Sequence, residues 1–212
     1  MAKPYGLLVA GFNYSSAAPD EFNEWYDTEH VPERKRVRGF INAQRWVGAD
    51  VPNVSIATYD LESLGVLQTP AYTSIAGANL SPWSKRLIGR VQRICRFEAE
   101  QLSPGQQAAP ATAGGMMMFA MNVAPDAEAD FNAWYDEEHV PRLAAVPGCM
   151  SARRFKAGGG THKYIAVYHL QSPDVCSSKA WREAADTPWT LRIRPHTSDR
   201  LRIVLRRYSA EA

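Results

Sequence analysis

The sequence predicts an α+β fold made of two tandem ferredoxin-like βαββαβ units, and three observations carry that expectation. The stretch Phe22-Asn23-Glu24-Trp25-Tyr26-Asp27-Thr28-Glu29-His30-Val31-Pro32 returns as Phe131-Asn132-Ala133-Trp134-Tyr135-Asp136-Glu137-Glu138-His139-Val140-Pro141. The offset from His30 to His139 is 109 residues, and it also aligns Gly6 with Gly115, Asn13 with Asn122, Gly39 with Gly148 and Tyr59 with Tyr168. Repetition on this scale marks an internal duplication. Within each copy, short apolar runs of strand type alternate with segments of helical spacing. Between the copies, Ser103 to Gly114 is a low-complexity stretch without periodicity, which reads as a linker. The expected units are 1–102 and 115–212, joined by 103–114.

The elements follow in order. Tyr5 to Tyr14 and Met116 to Ala124 are apolar runs suited to a buried first strand. The Met116-Met117-Met118-Phe119 run reads as core filler. Ser15 to Asp20 supplies turn and capping residues before the helix of the repeated motif, and Pro32 and Pro141 are expected to end or kink that helix. Gly39 and Gly148 mark the turn into a second strand, Phe40 to Val47 and Cys149 to Lys156, paired with a third at Val54 to Leu61 and Lys163 to Leu170. Less regular helical regions occupy Glu62 to Gly77 and Ser172 to Asp186. Ser81-Pro82-Trp83 and Thr187-Pro188-Trp189 then open a further helical turn, since proline suits a first helical position. Arg90 to Glu100 and Arg200 to Tyr208 complete each copy as a strand. This order gives an antiparallel sheet with helices on one face, and two copies on one chain can cover each other's bare faces.

Composition excludes several classes. With 212 residues, 45% hydrophobic, 22% charged and a net charge of +2, the chain is neither disordered nor a nucleic-acid-coating protein. Cys95, Cys149 and Cys176 fall at unrelated positions in the two copies, so free thiols in a reducing compartment are expected. No apolar run is long enough to span a bilayer, and the first residues lack the pattern of a signal peptide, so a cytoplasmic location is the expectation. No Gly-rich phosphate loop, nucleophile elbow or CxxC motif is present.

The repeated motif concentrates the chemistry. On a helix, Phe22, Trp25, Tyr26 and Glu29 share a face with His30 at its border. Aromatic residues at this spacing ordinarily pack a helix on a sheet. His30 follows Asp27 by three residues, as His139 follows Asp136, and a carboxylate so placed can hold one ring nitrogen and raise the basicity of the other. The topology brings His30 toward Tyr5 or Leu7, Phe40 and Tyr59, and His139 toward Met116, Cys149 and Tyr168. A histidine, a carboxylate and a phenol around an aromatic gap suit proton transfer to an organic molecule. A histidine capping the last helix carbonyls is the structural alternative. A metal site is disfavoured, because no second His or Cys stands at a ligand spacing. Arg45 and Arg154 either anchor a substrate carboxylate or pair with a neighbouring acid. The arginines of the 200–207 run read as a solvated face or subunit contact, and His162, His169 and His196 as solvent-facing.

The pattern Phe-Asn-x-Trp-Tyr-Asp-x-Glu-His-Val-Pro, followed by a Gly turn and an Arg-Trp or Arg-Phe strand, resembles the EthD-like branch of the dimeric α+β barrel superfamily. The resemblance covers Gly6 to Phe97 and Gly115 to Tyr208. It implies an intramolecular pseudo-dimeric α+β barrel, as a monomer or a further homodimer. Relatives include cofactor-independent monooxygenases of aromatic polyketides, cyclases, lactone isomerases, decarboxylases or dehydratases, and haem enzymes, so fold alone does not settle activity. The family's helix-end histidine corresponds to His30 and His139. The first copy departs from the pattern at Pro32-Glu33-Arg34-Lys35-Arg36-Val37-Arg38-Gly39, which is basic and lacks the second proline, so one or both copies can carry a working site and, if only one does, the second copy is favoured. No trustworthy haem-ligand pattern is present, although His30, His139, His162 and His169 are the available imidazoles.

The function expected is cofactor-free acid-base chemistry of lyase, isomerase or cyclase type on a small hydrophobic or aromatic substrate, with no nucleic acid or membrane partner. His139, with His30, would transfer the proton, Asp136 and Asp27 would orient it, and Tyr168 and Tyr59 would donate to a developing enolate or phenolate. Trp134, Tyr135, Arg154 and Trp189, with Trp25, Tyr26, Arg45 and Trp83 in the first copy, would contact the substrate. A cofactor-independent monooxygenase and a non-catalytic binding module are the alternatives.

Overall fold

Apolar runs buried on both faces make the innermost strands of the computed structural model, which describes residues 3–209. β1 (Gly6–Asn13), β3 (Val54–Leu61), β5 (Gly115–Val123) and β7 (Tyr164–Leu170) are of this kind. Their alternate residues point into a barrel or outward under helices, so both faces are covered and the sequence reads as continuous apolar rather than alternating. β2 (Gln44–Gly48), β4 (Gln92–Ser103), β6 (Cys149–Ala157) and β8 (Thr197–Arg207) complete the set. The strands close into an antiparallel barrel in the order β1-β3-β2-β8-β5-β7-β6-β4.

The closures across the two halves are β2 on β8 and β4 on β6. Closure satisfies the N–H and C=O groups that edge strands would leave bare. Period-two alternation then sorts the side chains. Leu7, Val9, Trp46, Ile56, Met116, Met118, Phe155 and Val167 fill the lumen. Leu8, Phe12 and Tyr59 face the first-half helices, and Met117, Met121 and Tyr168 face the second-half helices.

The motif helix does not stop at its proline. It runs as α1 (Pro19–Trp25), a π turn (Tyr26–His30) and α2 (Val31–Lys35), and again as α5 (Glu128–Ala133), a π turn (Trp134–His139) and α6 (Val140–Ala144). A mid-helix proline lacks an N–H and crowds a carbonyl one turn back. The wider π turn absorbs this: Val140 N–H donates to the Tyr135 carbonyl, five residues back, and Pro141 falls in the first turn of a fresh α segment.

The second strand of the first half is shorter than expected, with Phe40 making only an isolated bridge to Leu61 before β2 begins at Gln44. The turns before β2 and β6 use Gly39 and Gly148 at φ +97° and +89°, where a side chain would be strained. α3 (Pro70–Thr73), α4 (Pro82–Ile88), α7 (Lys179–Ala185) and α8 (Pro188–Ile193) complete the outer layer. Ser81 and Thr187 cap α4 and α8 with their hydroxyls. Among the described residues no helix is long and apolar enough to cross a membrane.

The 103–114 stretch is not a slack connector. Ala109 N–H donates to Asp60 Oδ2 at 2.6 Å, Arg153 Nη1 donates to the Gln107 carbonyl at 2.9 Å, and Gln44 Nε2 donates to the Pro110 carbonyl at 3.0 Å. These lumen-facing polar groups tie it across one end of the barrel. Beneath it lies a buried ion pair between halves, Arg153 Nη1 to Asp60 Oδ1 at 2.8 Å. His169, expected at the surface, is fully buried there, beside Ser151 and edge-on to Trp46.

Candidate functional site

Residue by residue, the repeated motif resolves mostly into scaffolding. The indole N–H of Trp25 donates to Ser84 Oγ at 2.9 Å, and that of Trp134 to Thr190 Oγ1 at 3.1 Å. Glu29 and Glu138 each accept a 2.5 Å hydrogen bond from the cap hydroxyl, Ser81 or Thr187, that starts the following helix. The motif helix is thereby locked to α4 or α8.

Asp27 and Asp136 do not orient the histidines, which corrects the sequence expectation. Arg45 donates to Asp27 at 2.7 Å and to Asn23 at 2.8 Å, and Arg154 to Asp136 at 2.6 Å and to Asn132 at 2.7 Å. Asn and Asp four residues apart share a helix face, so together they clamp one guanidinium. Each guanidinium also lies 4.4 Å over the ring of Tyr26 or Tyr135. Asp27 additionally accepts from the Tyr208 hydroxyl at 2.9 Å. Arg45 on β2 and Arg154 on β6 are thus buried structural cations, each paired with an acid on the motif helix of the same half, and neither lines either histidine cavity.

What remains of the motif is the histidine. Because the helix continues, His30 and His139 sit in mid-helix π turns and cap nothing. The His139 ring lies 4.2 Å from Trp134 and 5.3 Å, edge-on, from Tyr135. Its Nδ1 is buried without a hydrogen-bond partner, as is that of His30. A lone pair is orphaned at smaller cost than an N–H, so the proton of the neutral ring belongs on Nε2. Burial, reinforced by the nearby Arg154 cation, lowers the His139 pKa from 6.5 to about 3. Burial, with Arg34 and Arg45, holds His30 well below the usual histidine range. Both rings are neutral at physiological pH.

His139 stands in the wall of a cavity of about 240 Å³ between the second-half helices and the sheet. Trp134, Tyr135 and Tyr168 share that wall, with Met117, Phe119, Leu143 and Trp181 as apolar lining. Burial raises the pKa of Tyr168 well above 10 and that of Tyr135 likewise, so both phenols stay protonated. The site offers neutral donors in an apolar enclosure.

The first half has a counterpart of about 230 Å³ lined by His30, Tyr59, Tyr72 and Leu8. Burial raises the Tyr59 pKa to about 12. Leu143 is replaced at the corresponding place by Arg34, which is 4% exposed and bonds the Ile75 carbonyl at 3.1 Å and Glu33 at 2.6 Å. A buried cation therefore enters the first cavity where the second presents a methyl group.

Four of the expected residues line the second cavity (His139, Tyr168, Trp134, Tyr135) and two the first (His30, Tyr59). Trp25 and Tyr26 are core, Trp83 packs on the helix layer, and Trp189 donates to Asp130 at 2.9 Å, outside either cavity. Strand parity corrects the neighbours as well: Leu8 and Met117, not Leu7 and Met116, face the histidines. Sequence reasoning missed Trp181, Leu143, Arg194, Arg200 and Arg202. The repeat offset pairs Leu143 with Arg34 and Trp181 with Tyr72, a signal that was available. Among the described residues, no three His, Cys, Asp or Glu come together as a metal site.

No family model matches the chain, and no curated protein matches it either. Solved structures do. A protein of Fusobacterium nucleatum provisionally described as a monooxygenase matches with TM-score 0.65 at 11% identity, over 99% of this chain and 94% of its own. An anthrone oxidase-like protein matches with TM-score 0.66 at 12% identity, over 96% and 92%. A mutant chlorite dismutase of Candidatus Nitrospira defluvii matches with TM-score 0.63 at 7% identity, over 99% and 93%. At these identities the likeness is one of fold alone, a closed antiparallel barrel with helices packed outside it. A Thermus thermophilus protein described as heme-binding also shares the fold, with TM-score 0.58 at 11% identity, over 98% of this chain and 92% of its own. The two histidine-lined cavities, at about 240 and 230 Å³, fall below the roughly 300–1,000 Å³ of sites for drug-sized ligands, so neither is of a size to enclose a haem.

Proposed function

We propose that this chain is a small-molecule enzyme. Its second-half cavity binds a hydrophobic aromatic molecule and polarises one of its oxygens without a cofactor. The observation that carries the reading is the neutral imidazole of His139, unpartnered at Nδ1 and set with Tyr135 and Tyr168 in the wall of an apolar cavity. Hydrogen-bond donors fixed in a low-dielectric site stabilise charge that develops on a bound oxygen. Nε2–H of His139 and the Tyr168 hydroxyl are the two donors assigned to a developing enolate or phenolate. Among the described residues no carboxylate is hydrogen-bonded to His139, and the Asp186 charge that favours its protonation is outweighed by burial and Arg154, so its role is hydrogen-bond donation to the oxygen rather than abstraction of a proton from an unactivated carbon. Isomerisation or cyclisation through the enolate is the leading chemistry: with the oxygen polarised, the acidified carbon proton passes to a water at the cavity mouth and a proton is returned to carbon in the product.

A second reading has its own support. An enolate or phenolate of a reduced aromatic can react with oxygen directly, and two of the fold's neighbours are described as a monooxygenase and as anthrone oxidase-like. The two readings share the anion and differ in its fate.

We further infer that the chain is a duplicated EthD-like unit, 1–102 and 115–212, with the second copy working and the first reduced to a scaffold. The matched Arg–Asp–Asn clamps support the duplication, and Arg34 inside the first cavity supports the asymmetry. The test uses anthrone as a probe with wild type, His139→Phe and His30→Phe. Faster exchange of its methylene protons with deuterium without oxygen uptake supports enolate chemistry; oxygen uptake with quinone formation supports the second reading. Both rates should fall at least tenfold in His139→Phe and stay unchanged in His30→Phe. Exchange and uptake at the buffer rate across a panel of enolisable aromatics would remove the enzyme reading.

A further inference from the structure

The second cavity has a chemically distinct mouth. On β8, Leu201, Ile203 and Leu205 turn into the barrel, so Arg200 and Arg202 share the opposite, helix-side face with Val204. Arg202 stands directly across from Phe119 of β5, an apolar lining residue. Both arginines line the cavity and are exposed at its opening, with Arg194 beside them. This corrects the sequence expectation of a merely solvated strand face.

Charge accounting at the mouth is one-sided. Arg194 is paired with Asp186 at 2.7 Å. Among the described residues, Arg200 and Arg202 have no ion-pair partner. The adjacent Asp199 turns its carboxylate to Asn122 at 2.9 Å and Ser198 at 2.9 Å. No Asp or Glu is among the lining residues. Two guanidiniums without a salt bridge therefore stand where an apolar cavity meets water; Arg202 also borders a second depression with Asp50 and Asp174, neither within ion-pair distance of it. A planar fork of donors there matches a carboxylate in geometry and charge.

Resting on the reading of this cavity as the ligand site, we propose that its ligands are aromatic carboxylates: the ring seats among Met117, Phe119 and Trp181, and the carboxylate lies at the mouth on Arg200 and Arg202. The His139 and Tyr168 donors at the inner wall then meet the part of the ring system remote from the charged group. Orientation follows, because reversing the ligand would bury the carboxylate and strand the cations.

The test compares 2-naphthoate with 2-naphthamide, which share a shape and differ in charge, by titration calorimetry at low salt. Four proteins are used: wild type, the Arg200→Gln/Arg202→Gln double variant, Arg206→Gln as a control on the same strand, and Ala185→Trp to fill the cavity. Wild type should bind the carboxylate at least tenfold more tightly than the amide. The double variant should lose that preference while keeping amide affinity, Arg206→Gln should resemble wild type, and Ala185→Trp should abolish both. Binding that Ala185→Trp blocks, but with equal affinity for the two probes or no dependence on Arg200 and Arg202, overturns the carboxylate assignment and leaves the cavity reading in place. Probes that bind nowhere, or bind regardless of Ala185→Trp, overturn the cavity reading and this proposal with it.

Discussion

Replacing His139 by Gln should make the protein less sensitive to mild acid. In the folded chain His139 resists protonation down to about pH 3, because burial and the Arg154 cation penalise the charged ring. In the unfolded chain the same ring titrates near 6.5. A folded pKa below the unfolded one means that the unfolded state binds more protons as pH falls. Stability tied to this ring is therefore intact above about pH 6.5 and lost progressively between pH 6.5 and 3. Integrating the two titrations gives a loss of about 2 kcal/mol between pH 7 and pH 5 from this one residue. His30 and His169, both also held well below the usual histidine range mainly by burial, add losses of the same sign in wild type and variant alike. The difference between the two proteins therefore isolates His139. Urea unfolding at pH 7 and pH 5 reads it: wild type should lose about 2 kcal/mol more than His139→Gln over that interval. Equal losses within about 0.5 kcal/mol would mean that the ring charges freely while folded, and the neutral-donor role of His139 would fall with it.

Other perturbations follow from the same geometry. Asp60→Ala should destabilise the barrel by about 3–5 kcal/mol in denaturant unfolding, because it leaves the buried Arg153 without its charge partner. Asp136→Asn should cost about 1 kcal/mol of stability, since half of that carboxylate is exposed. It should leave any turnover intact, whereas an Asp–His pair would have predicted a large rate loss. Arg34→Leu should make the first cavity resemble the second, measured as a new site for 2-naphthamide by calorimetry. The pH–rate profile should show no inflection near 6.5 from His139, which stays neutral from pH 8 to pH 4.

Much of the architecture was legible in the chain. Apolar runs with glycine, proline and Ser/Thr-Pro signals located every strand and the capped helices, and the 109-residue offset aligned the motif helix of the first half with that of the second. His139 and Tyr168 were drawn to one place by topology alone. Local rules sufficed there because strand period, capping and turn conformation depend on residues within a few positions.

The chemistry of the site depended on contacts between distant residues. Asp136 had two candidate partners, His139 three residues away and Arg154 eighteen away. It takes the guanidinium, because a buried cation needs a charge partner and offers a fork of donors, while a neutral imidazole does not. Leu8 instead of Leu7, and Met117 instead of Met116, face the helices because pairing register sets the parity of a strand. The arginines of β8 became a cavity mouth only when that strand paired with β5. Sequence determined which residues form each element; barrel closure decided which of them meet, because register and cross-strand pairing belong to the assembled sheet and to no single segment.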